Sequence, residues 1–339
     1  MLVRTILLPS VFTSIPKDQA GLYSLTIKLL QELEKTGVIL VDDKSCIKIA
    51  LSQGVSKWPE KFKKPAQKLL KQLWKNHRFV EVPLIGEIQS ICRTEPCQQC
   101  IRLAKEYLPL AVFAHQECNP CAKKQLTKVH TVKVIDIDEY SIDADFCSLL
   151  DGRGHVLGNG EWRQDKFEQE ILIPLFRDAK NIKIYDRWIG RSILTPNADK
   201  YKLALEWILN VFLRESRAGK VGIFEVYSGF CTQKKHGKPP PNVTNAVAAL
   251  CKLETDIQKT HPAFRLIIKK ETKAHQMPHN RYLLTNQLAV SIDRGFDLLI
   301  DSRTSSYPRR IRDVCIDYCS ESEKVEQYVR TLPDLGTTV

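Results

Sequence analysis

Short apolar runs alternate with amphipathic segments along most of this chain, and that alternation restricts it to an α/β fold. "VILVDD", "NIKIYDRWI", "VGIFEVYSGF" and "FRLIIKKE" read as buried strands. Helical spacing lies between them. Leu22, Leu25, Leu29 and Leu33 share one face, with Gly37 just past the last of them. Pro65 is suited to open a helix whose buried stripe is Leu69, Leu70, Leu73 and Trp74. "DKYKLALEWILNVFLRES" is the strongest helix, with Leu205, Ile208 and Phe212 on one face and Asp199 near its positive end. Asn242 is placed to cap "VTNAVAALCKLETDIQK". Residues 3 to 12 read as a strand, and a helix over 165–177 is interrupted by Pro174.

A chain of 339 residues is long for one core and points to two domains. Four glycines between residues 152 and 160 mark the linker, so the expected division is 1–157 and 158–325, with a tail over 326–339. The 43% hydrophobic and 27% charged content is that of a folded protein, with apolar material for both cores. No run approaches the ~20 apolar residues of a membrane span. "MLVRTILLPSVF" has no small-residue cleavage site after it and reads as a strand, not a signal peptide. Eleven cysteines, an odd number, argue for the reducing cytoplasm. The net charge of +12 favours a polyanionic partner, either nucleic acid or an acidic phospholipid surface.

Residues 86–125 break the α/β rhythm and carry Cys97-x2-Cys100 and, seventeen residues on, Cys118-x2-Cys121. Two such knuckles turn four thiolates toward one point, the pattern of a zinc ribbon inserted in the first domain. Four protein ligands close the shell, so a Zn²⁺ held there is structural. Cys92 and His115 are close enough in sequence to replace one ligand, and a redox dithiol is the lesser alternative. Lys123, Lys124 and Lys128 read equally as a nucleic-acid contact or a solvated surface. Asp42, Asp43, Asp136, Asp138, Glu139, Asp143 and Asp145 fall near strand ends, where acids can hold Mg²⁺. The first strand, "ILLPSVF", ends without an acid, so these residues read as solvated turn acids.

The densest chemistry lies in "QMPHNRYLLTNQLAVSIDRGFDLLIDS", residues 276–302. His279 and Arg281 are expected on one face of a strand, a nucleophilic imidazole beside a cation that holds phosphate. His279-x-Arg281-x4-Asn286 copies the spacing of a phospholipase D half-site, His-x-Lys-x4-Asp, with its second and third members changed.

From about residue 160 to 320 the chain resembles the phospholipase D-like domain found at the C-terminus of MIT-domain proteins. "IKIYDRWIG", "HNRYLL" and "IDRGFDLL" carry the resemblance, in matching order and separation. It implies a mixed-sheet α/β sandwich of phospholipase D type, dimerisation, and binding to acidic phospholipids in place of catalysis. It implies a pocket lined by Asp186, Arg187, His279, Arg281, Arg294 and Asp297. Arg187 and Arg294 suit phosphate clamps, and Asp297 suits an orienter of His279.

Two functions compete on these residues. In one, His279 attacks phosphorus in a metal-independent nuclease, Arg281, Arg187 and Arg294 stabilise the growing charge, and a homodimer supplies the second His as general acid. In the other, the same pocket recognises phosphate as a non-catalytic adaptor, because Asn286 lacks the charge that would keep a His basic. The basic loop from Lys234 to Pro241 is a further candidate phosphate contact.

Overall fold

The computed structural model describes residues 2–16, 18–84, 96–129, 131–144, 146–147, 155–157, 162–217, 222–231, 242–300, 307–312, 314–319 and 322–335. Cys92, Asp145 and the Lys234–Pro241 loop lie outside the described residues. The chain divides into two compact units, residues 1–152 and 153–339.

The first unit is a five-stranded parallel sheet. Its strands are β1 (Val3–Leu7), β2 (Gly37–Asp42), β3 (Phe79–Val82), β4 (Ala111–Ala114) and β5 (Lys133–Asp136), in the order β3-β2-β1-β4-β5. Its helices are α1 (Ser10–Thr13), α2 (Ala20–Thr36), α3 (Cys46–Ser56), α4 (Glu60–Lys75), α5 (Pro96–Tyr107) and α6 (Asn119–Leu126). Every residue of β2 and β4 is buried, as parallel strands must be when helices cover both faces.

Two expectations change here. The first strand stops at Leu7, because Pro9 turns helical (φ −53) and opens the single turn of α1. The cysteine-bearing region is not an insertion. Its described part supplies helix α5, the strand β4 that pairs with β1, and helix α6, so it continues the α/β rhythm. The four-residue run "AVFA" is too short to show periodicity, which hid β4 from sequence.

The second unit holds a seven-stranded mixed sheet, order β6-β12-β11-β10-β7-β8-β9. Its strands are β6 (His155–Leu157), β7 (Asn181–Tyr185), β8 (Ile223–Cys231), β9 (Phe264–Glu271), β10 (Arg281–Thr285), β11 (Ala289–Ile292) and β12 (Val314–Tyr318). β7, β8 and β9 run parallel, while β10 is antiparallel to β7 and opens an antiparallel series. The helices are α7 (Gln164–Phe167), α8 (Ile173–Phe176), α9 (Arg187–Ser192), α10 (Ala198–Glu215), α11 (Val243–Gln258) and α12 (Ser322–Thr331). A π-helical turn, Glu168–Leu172, joins α7 to α8 and leaves Pro174 in the first turn of α8, where its missing N–H is harmless. Asn242 caps α11 by accepting from the Asn245 N–H at 3.0 Å.

The sheet is mixed, as expected for this half of the chain. The expected tail from residue 326 begins inside α12, however. Val325, Val329 and Leu332 are buried against Tyr185, Met277, Leu284 and Ala289, so that helix is part of the core.

Candidate anion-binding site

The site forms where β7 gives way to α9. Asp186, wholly buried, is the N-cap residue of α9, and its Oδ1 accepts from the Trp188 N–H at 2.8 Å. Its Oδ2 accepts from the Phe296 N–H, also at 2.8 Å. One carboxylate thus fastens the start of a helix to the Asp293–Asp297 turn, 110 residues away.

Close packing of backbone brings a second acid in. The Gly190 N–H donates to Ser228 Oγ at 2.7 Å, and that hydroxyl donates to the Asp186 carbonyl at 2.6 Å. A Cβ on Gly190 would stand 2.6 Å from the Gly229 carbonyl oxygen, and one on Gly229 would meet the Glu271 carboxylate at 2.5–2.8 Å. Only glycine at both positions lets α9 lie this near β8 with Glu271, the last residue of β9, tucked beside them.

Glu271 has no exposed surface. Its Oε2 takes Arg191 at 2.5 and 2.7 Å, and its Oε1 accepts the Met277 N–H at 2.8 Å and lies 3.6 Å from Arg187 Nε. Arg187 also donates to the Gln276 side-chain oxygen. Arg281, the first residue of β10, donates to the Asp293 carbonyl at 2.8 Å, and its Nε stands 3.9 Å from Asp186 Oδ1.

These three guanidiniums surround one ring. Their central carbons lie 5.8 Å (Arg187), 5.4 Å (Arg191) and 5.8 Å (Arg281) from the Trp188 ring centre. Among the described residues, the buried donors Arg187 Nε, Arg281 Nε and Trp188 Nε1 make no hydrogen bond, though the first two stand at ion-pair distance from Glu271 and Asp186. Buried donors are rarely left in this state without a ligand or strain to explain them.

Burial sets the electrostatics. It pushes the Asp186 carboxyl up to about 6, against the pull of the Phe296 and Trp188 N–H groups and of Arg281. Burial also raises Asp297, opposed by Arg312, and lowers Arg187, opposed by Glu271. Two wholly buried carboxylates face three guanidiniums, so the cluster keeps a positive excess.

The structure gathers only some of the expected residues. Asp186, Arg187 and Arg281 meet as described, with Asp297 close enough to act on the Asp186 carboxyl. His279 is exposed in a bend ahead of β10, and no hydrogen bond links it to Asp297 among the described residues. The strand that was to carry it starts only at Arg281, since Pro278 has no N–H for a ladder. Asp297 is paired with Arg312 at 3.4 Å. Arg294 is exposed in the turn. Asn286 follows the last residue of β10, about 15 Å of strand from Arg281, and accepts the Lys180 N–H at 2.7 Å. Glu271, Arg191, Trp188 and Gln276 were not anticipated. The four-residue spacing of Arg187 and Arg191, one helical turn, and an acid closing a buried strand were the available signals.

The expected metal ligands are placed differently from a ribbon. Cys97 and Cys100 lie in the first turns of α5, Cys118 is the N-cap residue of α6, and Cys121 follows within its first turn. Cys100 is wholly buried, with its thiol 3.6 Å from the Leu7 carbonyl. Burial, then Cys97 and Asp42, pushes that thiol well above its ordinary range. Cys121 is exposed, with Gln125 Nε2 at 3.3 Å. Among the described residues no group of three His, Cys, Asp or Glu side chains stands ready to hold a metal ion.

Nor are all the first unit's acids solvated. Asp42 is wholly buried and accepts the Cys46 and Ile47 N–H groups at 2.9 and 2.7 Å, and Asp136, also buried, accepts from Asn119 at 3.0 Å.

Compared with known proteins, the chain matches no family model, no curated protein and no solved structure. Among the described residues no helix is long and apolar enough to cross a membrane.

Proposed function

We propose that the charged cluster around Trp188 binds a phosphate group of a nucleic acid without cleaving it. The observation that supports this most directly is the set of three buried N–H donors, on Arg187, Trp188 and Arg281, that make no hydrogen bond among the described residues. A phosphate oxygen is an acceptor only, and a guanidinium matches two of them. Glu271 and Asp186 hold the cations in place while leaving the excess charge positive. The net charge of +12 supports a polyanionic ligand, of which nucleic acid is the one put forward and acidic phospholipid the alternative outcome of the test.

Cleavage would need an oriented nucleophile. His279 is exposed, and the acid expected to orient it is engaged by Arg312. Binding alone requires neither a zinc ion nor a second copy of the chain.

Titration of a labelled oligonucleotide with wild type, Arg281→Lys, Arg281→Gln and His279→Ala tests this reading, with cleavage followed in EDTA. Both Arg281 variants should weaken binding about tenfold or more, since a charge-assisted bond is worth ~1.5–3 kcal/mol, and His279→Ala should bind as wild type. Turnover in EDTA that disappears with His279→Ala would replace the binding reading with the nuclease one. Tighter binding to phosphatidylserine vesicles than to oligonucleotide would move the ligand to lipid.

A further inference from the structure

Helix α4 carries six lysines and a single acid, Glu60. Lys61, Lys64, Lys68, Lys71 and Lys75 recur every three or four residues, so they share one face, and all five are exposed. Ala66, Leu70 and Leu73 hold the other face in the core. Glu60 lies 3.4 Å from Lys64 and 3.7 Å from Lys63. Lys68, Lys71 and Lys75 have no acidic partner among the described residues. The stripe runs for about 21 Å along the helix, a length over which any nucleic-acid backbone presents several charges.

A hollow of about 330 Å³ opens beside the stripe. Lys48, Ser52, Gln67, Lys71 and Trp74 are among its walls, with Leu51 and Leu70 behind them. Trp74 is 44% exposed, and the Lys48 ammonium lies over its ring. A large, partly exposed indole beside an apolar hollow and unpaired cations offers a base a stacking face once the flexible Lys48 side chain swings off the ring, and offers its phosphate a counter-charge.

We propose that the lysine face of α4 and the Trp74 hollow form a binding surface for single-stranded nucleic acid. The lysines track the phosphates and the indole takes a base. A duplex would engage the lysines but could not present an unstacked base to Trp74. A bilayer is disfavoured because Trp74 is the one exposed large apolar side chain of α4, too little to enter lipid. This surface lies wholly within the first unit and does not depend on the Trp188 cluster.

The test uses the full chain and a fluorescent oligothymidine, titrated at two salt concentrations. The variants are Lys68→Gln/Lys71→Gln/Lys75→Gln together, Trp74→Ala, and Arg281→Lys. All three lysines are exposed and glutamine is a good helix former, so the triple variant should fold. It should bind at least tenfold more weakly, with the salt slope reduced by about 2. Trp74→Ala should weaken binding about 5- to 150-fold and leave that slope unchanged. An unaltered affinity and slope in the triple variant would overturn the proposal. So would wild-type preference for duplex, or for phosphatidylserine vesicles, over the single strand. Loss with Arg281→Lys but not with the lysine variant would sink this surface and keep the Trp188 cluster; the reverse result would do the opposite.

Discussion

Asp186 ties three pieces of chain together, and its proton is the feature most open to measurement. Unfolded, an Asp carboxyl titrates near ~3.9; here burial brings it to about 6. The folded state therefore holds the proton more tightly than the unfolded one. That contribution, on the order of 3 kcal/mol, is complete below about pH 4 and is lost as pH rises through about 6. Asp186→Asn removes the titration but also turns an amide NH₂ toward one of the two N–H groups the carboxylate satisfied. We expect it to lower stability near pH 4, where Asp186 is protonated, by about 1–3 kcal/mol and to abolish this part of the slope between pH 4 and 6. Urea unfolding across that range checks both. A phosphate seated near Asp186 would favour the same proton, so oligonucleotide affinity should rise as pH falls from 7 toward 5, as titrations at matched salt would report.

At the scale of elements, the contact between α9 and β8 decides whether the charged cluster exists. Gly229 leaves room for the Glu271 carboxylate, and Glu271 in turn receives Arg191 and the Met277 N–H. Gly229→Ala puts a methyl group 2.5 Å from the Glu271 carboxyl carbon, and the acid has no exposed direction in which to retreat. Overpacking alone costs about 1–3 kcal/mol, and loosening a buried ion pair adds to it. The expected result is a thermal midpoint lowered by about 5 °C or more, with weakened oligonucleotide binding. An unchanged midpoint would mean that Glu271 is not as tightly held as the geometry implies.

The periodicity of α2 and α10 was legible in the sequence because each packs one broad face. Helix α4 was read only in part: it starts at Glu60 with Pro65 inside it, and Trp74, expected in the buried stripe, is exposed. β4 was not legible, because four buried residues carry no period. His279 was misplaced for a local reason as well. The x-Pro step ahead of it delays the ladder to Arg281, and a two-residue alternation cannot be read across that step.

For the molecule as a whole, each unit has its own sheet and its own buried core. Residues 1–152 expressed alone should therefore unfold in one cooperative transition, seen by circular dichroism against urea. A non-cooperative melt would show that the five-stranded sheet needs the rest of the chain.

What the sequence alone determined is what depends on near neighbours: the α/β class, most helix faces, the basic excess, and the cations of the "DRWIG" and "HNRYLL" segments. Tertiary structure decided which of those residues meet. Glu271 reaches Arg191 across 80 positions and Phe296 reaches Asp186 across 110, through strand order and two glycines with no local signature of their own. The cysteine spacing illustrates the same limit, because C-x2-C does not by itself reveal that both pairs lie at the starts of helices. Spacing along a chain determines geometry only within one element, and the path between elements is set by what the cores bury.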